Sequence, residues 1–414
     1  MKIVDVRAFL AAPPARADDK QAPDASRNVA ALFVQPPRLT PSSFFYEERH
    51  RDQNGRQVIG ELVVEVETDT GLIGLGNVGA ARGNALNTIL HHLRPIVLGE
   101  SPFDVELLWE RMYRHTIKFG RRGMAVEAIS GVDIALWDLM GKATNQPVCN
   151  LLGGRTRDRI RLYASRLYPS DDFNAVAQEA LAYAKQGFTA MKLRFGHGPR
   201  SGLQGMRKNL DLLRVVRDTI GPDIELAADV HMGWDVPYAV RMIRAIEDAG
   251  HILAWVEEPV MPDDINGCAA IAAAVDTPIA GGEHEFTRHG FRELIERRAV
   301  DIVQLDVNRA GGITEAQKIW ALAAAHNLDV IPHAGQMHNY HLVMARMNSP
   351  LAEYFPPPVG AYDSNDVFWE IFDGEPLAQG GYVEIGDTPG LGITLKQTIT
   401  RNTKPFLTDE GDPL

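Results

Sequence analysis

Cysteine is nearly absent: Cys149 and Cys268 are the two in 414 residues. Two thiols make neither a disulfide framework nor a zinc set, and they suit a reducing cytoplasm. Net positive charge is missing too. The formal charge is −12 at pH 7 and no basic stripe offsets it, which argues against a nucleic-acid partner. Long apolar runs are lacking as well. The opening MKIVDVRAFLAAPPARA looks superficially like a secretion signal, but Asp5 and Arg7 interrupt it, and no run approaches a membrane span. What remains, 45% hydrophobic and 23% charged residues, is the make-up of an ordinary globular protein. The expectation is a cytoplasmic protein of two or three domains, or an α/β barrel with one domain added.

The alternation in MKIVDVRAF predicts a first strand. Residues 10–58 are rich in Pro, Ser, Asp and Arg and predict a long loop that completes a site. Arg49 and Arg51 within it read as solvated charges rather than substrate contacts. ELVVEVETDTGLIGLG predicts a hairpin turning at Asp69-Thr70-Gly71. Residues 84–147 then turn helical, so 1–147 form an α+β unit. From about residue 160 the grammar changes. Eight short apolar segments, RIRLYAS, TAMKLRF, DIELAADV, LAWVEEP, PIAGGE, DIVQLDV, LDVIPH and LAEYF, alternate with amphipathic stretches that end near Gly or Asn. Strict β-α alternation of this length predicts a parallel (β/α)8-type barrel over 148–375. The turn-rich tail, 376–414, is expected to pack back on the first unit.

Active sites of such barrels lie where strands end. The predicted strand ends carry Lys192 and Arg194, then Asp229, Glu257, Glu283, Asp306, His333 and Glu353 in order. Asp229, Glu257 and Glu283 follow one another at gaps of 28 and 26 residues, one strand plus one helix. Three carboxylates meeting at one sheet edge repel, and a hard divalent cation such as Mg²⁺ resolves this with oxygen ligands. Asp306 beside His333 would hold an imidazole's tautomer and raise its basicity. Lys192 and Arg194, two apart on one strand face, add positive charge across the barrel mouth.

The ordered set K-x-R, Asp229, WVEEP, GGEHE, QLDVNRAGG and IPH resembles the mandelate racemase branch of the enolase superfamily. VDIALWDLMGKATNQPVCNLLGG at 132–154 and DTPGLGI at 387–393 match its link into the barrel and its closing segment. The resemblance implies an N-terminal capping domain, a modified barrel, one Mg²⁺ held by Asp229, Glu257 and Glu283, and abstraction of a proton α to a carboxylate. Glu258 would support the ligand shell. Many racemases of this branch carry K-x-K, with the second Lys a base. Arg194 stands there instead and is a poor base, so two-base racemisation is disfavoured. The implied reaction is one-base dehydration of a sugar acid through a metal-stabilised enediolate. His333 takes the C2 proton, and His333 or His284 serves as the acid. Lys192, with Arg194, would bind the substrate carboxylate, and Glu353 would hydrogen-bond it if protonated. GEH and FGHGPRSG look like the L-rhamnonate dehydratase group, although His197 in the latter reads as a loop histidine. The resemblance also implies a homo-oligomer, often an octamer of barrels, with no membrane partner.

Other signals point elsewhere and are weaker. GLGNVG, Gly74 to Gly79, is formally G-x-G-x-x-G but follows a hairpin arm rather than opening a βαβ unit. It reads as a glycine-rich bend, and a nicotinamide dehydrogenase would rest on it alone. HEFTRH is one residue too long for H-E-x-x-H, and His91-His92 diverge on a helix. Epimerisation or cycloisomerisation on the same site is the alternative reaction. A non-enzymatic barrel need not keep all five of the triad and dyad residues.

Overall fold

The structure, a computed structural model, describes residues 1–13, 60–79, 82–357 and 367–403. Most of the predicted 10–58 loop, with Arg49 and Arg51, lies outside the described residues. β1 (Ile3–Ala12) pairs antiparallel with β2 (Glu61–Thr68), which turns into β3 (Ile73–Asn77). β1 runs to Ala12, beyond the alternating MKIVDVRAF, because Leu10–Ala12 are themselves apolar, Leu10 and Ala11 pairing on both sides and Ala12 with Thr400. α2 (Met124–Thr144) packs across β2 and β3, and α1 (Val105–Thr116) packs against α2. α2 is buried from Ala125 to Gly141, mostly apolar but with the acidic Glu127, Asp133 and Asp138 enclosed as well. The formal dinucleotide motif is spent on this contact. A Cβ at Gly74 or Gly76 would lie 2.1 Å from the carbonyl oxygen of Ala135 or Gly131 on α2.

The barrel strands are β4 (Ile160–Ser165), β5 (Ala190–Arg194), β6 (Glu225–Asp229), β7 (Val256–Glu257), β8 (Ile279–Gly281), β9 (Ile302–Val303), β10 (Asp329–Val330) and β11 (Ala352–Tyr354). They pair in parallel in chain order from β4 to β10, and β11 returns to β4. β10 and β11 do not pair as strands; Val330 N donates to the Asn348 carbonyl, and Ser349 Oγ donates to the Val330 carbonyl, each at 2.8 Å. Several of the intervening helices start on an aspartate cap: Asp172 accepts from Ala175 N, Asp235 from Tyr238 N and Asp264 from Gly267 N, each cap contributing about 1 kcal/mol.

Every strand sends one apolar residue into the barrel. Tyr163, Ala190, Ala227, Trp255, Ala280, Ile331 and Leu351 form one enclosed cluster, with Ile302 packed against it. Tyr163 and Trp255 meet edge to face, 5.3 Å between centroids, and the alanines opposite make room for them. The strand period is two, so the next inward positions are Lys192, Asp229, Glu257, Gln304, His333 and Glu353. An apolar floor therefore carries a polar layer directly above it.

The tail does two things. β12 (Tyr382–Val383) pairs with β4, on the barrel. β13 (Thr400–Asn402) pairs with β1, on the first domain. Buried Asp138 on α2 joins tail to cap by accepting from both Leu75 N at 2.8 Å and Leu391 N at 2.7 Å. Among the described residues no helix is long and apolar enough to cross a membrane.

Candidate active site

The polar layer is a ring of opposite charges. On β5, Lys192 Nζ lies 2.5 Å from Glu257 Oε1, 3.1 Å from Glu353 Oε1 and 3.9 Å from Asp229 Oδ2. Burial would lower the Lys192 ammonium, but those three carboxylates hold it above the ordinary lysine range. The second oxygen of Glu257 accepts from Trp255 Nε1 at 3.1 Å and from Gln304 Nε2 at 2.7 Å. Even so, burial pushes the Glu257 carboxyl up to about 7. Arg194 is buried beside Asp229, Nε to Oδ2 3.3 Å, and its terminal nitrogens donate to the Arg166 carbonyl and Ser165 Oγ. Its charge fixes Asp229 and the end of β4. Burial would lower its pKa, but the surrounding anions keep it firmly charged, so it offers no base.

On the other side Glu283 is the hub. Its Oε1 is 3.0 Å from Arg309 Nη1, 3.3 Å from His333 Nε2 and 3.9 Å from His284 Nε2. Burial alone would raise its pKa, but these cations hold it well below the carboxylate range. Asp306 and His333 sit opposite one another across β9 and β10, with His333 Nδ1 2.9 Å from Asp306 Oδ2. Asp306 also pairs with Arg309 Nε at 3.2 Å and accepts from Asn308 N at 2.8 Å. Arg309 and His333 lower its pKa against the opposing effect of burial. Burial would lower His333, but Glu283 and Asp306 outweigh it and raise the imidazole to about 9. The dyad anticipated from two strand ends is therefore assembled, with its Nε2 turned toward the carboxylates.

His284 turns its Nδ1 to Glu258, 2.8 Å away, and its pKa rises against burial because of Glu258 and Glu283. Glu258, Glu283 and His284 offer donor atoms within 4.8 Å of one another. His231, at the end of β6, stacks edge-on to His284 at 5.8 Å. Glu258 stood in the sequence reading as a support. Gln304, Arg309 and His231 were missed, although Gln304 sits two residues beyond an inward apolar position and Arg309 inside the NRAGG turn. His197 stands apart from the ring, its carbonyl accepting from Trp234 Nε1 and Asn209 Nδ2.

The donor chemistry suits a hard divalent cation. Asp229, Glu257 and Glu283 stand at the ends of the consecutive strands β6, β7 and β8, with Asp229 and Glu257 paired in register. Six carboxylates (these three, Glu258, Asp306 and Glu353) face three permanent cations, Lys192, Arg194 and Arg309. Both buried oxygens of Glu353 lack a hydrogen bond, despite the nearby Lys192 ammonium.

Comparison with known proteins agrees with this architecture. Residues 54–153 match the family described as mandelate racemase / muconate lactonizing enzyme, N-terminal domain, and residues 175–399 match enolase C-terminal domain-like. The chain is 39% identical to the L-rhamnonate dehydratase of Saccharopolyspora erythraea over 87% of its length and 90% of the relative's. It is similar to the crystal structure of rhamnonate dehydratase from Gibberella zeae complexed with Mg, at 31% identity, TM-score 0.82 and 98% coverage of both chains. It is also similar to the 3,6-anhydro-D-galactonate cycloisomerase structure from Zobellia galactanivorans, at 28% identity, TM-score 0.76, and 96% and 97% coverage. The chain is an enzyme of the mandelate racemase / muconate lactonizing family in the enolase superfamily.

Proposed function

We propose that the enzyme dehydrates a sugar acid, an aldonate such as L-rhamnonate or a close relative, to the 2-keto-3-deoxy acid in the cytoplasm, with Mg²⁺ held by Asp229, Glu257 and Glu283. The observation that carries this reading is the Asp306–His333 pair turned toward that carboxylate group at the strand ends. The dehydratase names of the relatives in Saccharopolyspora and Gibberella support the substrate class. A bound divalent cation would supply Lewis-acid stabilisation of charge on the substrate carboxylate and would neutralise Glu283, which otherwise keeps His333 protonated. His333 removes the C2 proton, with Asp306 fixing its tautomer. The C3 hydroxyl leaves as water, taking its proton from His333 or from His284, and the resulting enol becomes the 2-keto acid. Lys192 neutralises the buried carboxylates and Arg194 locks Asp229, which leaves His333 as the sole candidate base at the dyad.

Incubation with Mg²⁺ and a panel of five- and six-carbon aldonates in D₂O, followed by proton NMR, tests this. New 2-keto-3-deoxy signals from one acid establish the dehydratase. An isomer of unchanged mass would instead favour the cycloisomerase reading, which the Zobellia likeness motivates. Loss of the C2 proton without net product would point to racemisation.

A further inference from the structure

One side chain of the first domain reaches the loops that carry both members of the dyad. Asn77 ends β3 and is 4% exposed. Its Nδ2 donates to Gln336 Oε1 at 3.0 Å. Its carbonyl and Oδ1 accept from Asn308 Nδ2 at 2.8 and 3.1 Å. Asn308 in turn donates its backbone N–H to Asp306 Oδ1, and Gln336 lies three residues beyond His333. Asn308 and Gln336 are buried as well. Two residues on, Gly79 sits flush against Arg309, where a Cβ would come within 2.8 Å of the arginine's Cγ. The strand end thus backs the loop after β9 and the loop after β10 together.

We propose that Asn77 is a positioning residue: it braces Asn308 and Gln336 so that Asp306 and His333 keep the separation and aim that proton abstraction needs. The inference rests on the proposed dehydratase reading for its kinetic test, but the geometry of the brace does not. An amide is suited to the task. It donates to one loop while accepting from the other, which neither a carboxylate nor a hydroxyl does with the same reach. All three side chains are buried, so removing the amide leaves Gln336 Oε1 without its donor and holds Asn308 by the residue-77 carbonyl alone, and the loop after β10 is free to shift against the loop after β9. A displacement on the order of 1 Å at a reacting group costs about 100-fold in rate.

The test compares wild type with Asn77→Ala, Gln336→Ala and the double variant, all loaded with Mg²⁺. Asn77→Ala should lower kcat about 10- to 100-fold and leave KM within about twofold, because substrate contacts are untouched. The C2-deuterium isotope effect on kcat should rise, since proton abstraction becomes slower relative to other steps. A mere fall in the folded fraction would leave that isotope effect where it is. The double variant should lose no more than the worse single one, because both changes cut the same brace. If Asn77→Ala does not fold, Gln336→Ala carries the kinetic test. Unchanged kcat in folded variants, an unchanged isotope effect, or losses that multiply in the double variant would overturn the proposal. If wild type turns over no sugar acid, the dehydratase reading fails by itself. Crystal structures then decide the brace: the 2.9 Å His333–Asp306 contact should loosen or re-aim in Asn77→Ala, and a dyad unmoved would refute it.

Discussion

The metal-free enzyme should lose stability as the pH rises from 6.5 to 9, and His333 should account for most of the loss. Its ring lies 3.3 Å from Glu283 and 2.9 Å from Asp306, which lift its pKa from 6.5 to about 9 against the effect of burial. A group whose pKa is raised by folding binds its proton more tightly in the folded state. The stabilisation is complete below pH 6.5, declines through the window and is gone above about 9. At about 1.4 kcal/mol per pH unit, a rise from 6.5 to about 9 corresponds to about 3 kcal/mol. With 19% of the side chain still exposed, that is an upper bound. Urea unfolding in EDTA at several pH values, on wild type and His333→Asn, isolates the effect as the difference between the two curves. His284 is raised in the same direction and Glu257 releases its excess proton near pH 7, but both groups are present in both proteins. Saturating Mg²⁺ should flatten the wild-type curve, because a cation on Glu283 removes the charge that holds the proton. Parallel loss of stability in the two proteins would show that the His333 proton is not held by these carboxylates.

Three further outcomes are expected. Glu257→Gln should weaken Mg²⁺ binding about tenfold or more by calorimetry, and Glu258→Gln should weaken it less; the reverse order would move the ligand from the first glutamate of WVEEP to the second. Lys192→Met should leave Glu257, Glu353 and Asp229 without their shared cation and lower the unfolding free energy by about 3 kcal/mol, as for a broken buried ion pair, in urea titration; an unchanged free energy would mean those carboxylates take up protons instead. Asp138→Ala should cost about 3 kcal/mol in urea unfolding, since the Leu75 and Leu391 amides lose their buried acceptor.

The barrel strands and their polar ends were legible because both obey one rule. A buried parallel strand shows as a short apolar run, and its catalytic residue falls two positions after the last inward apolar one. Ala227 precedes Asp229 in this way, Trp255 precedes Glu257 and Ile331 precedes His333. The same rule points to Gln304 after Ile302, which a search for charged residues passes over. What could not be read is the part made by contacts remote in sequence. Arg309 faces Glu283 from a turn whose shape depends on packing against the first domain. Asn77 meets Asn308 and Gln336 from 231 and 259 residues away. Arg194 reads from spacing as a group facing substrate, yet its terminal nitrogens donate to Ser165 and the Arg166 carbonyl, and its Nε faces Asp229 at 3.3 Å.

The pairing of β13 with β1 bears on how the molecule is made. During synthesis, β1, β2 and β3 emerge long before residues 400–402, and translation at about 5–20 residues per second separates them by tens of seconds. Throughout that interval β1 presents an open edge to its surroundings. Asp138 meanwhile lacks the amide of Leu391 that it accepts from in the finished protein. Of the two domains, the one that leaves the ribosome earlier is therefore completed later, and a chain interrupted after the barrel would expose a strand edge prone to pairing with other chains.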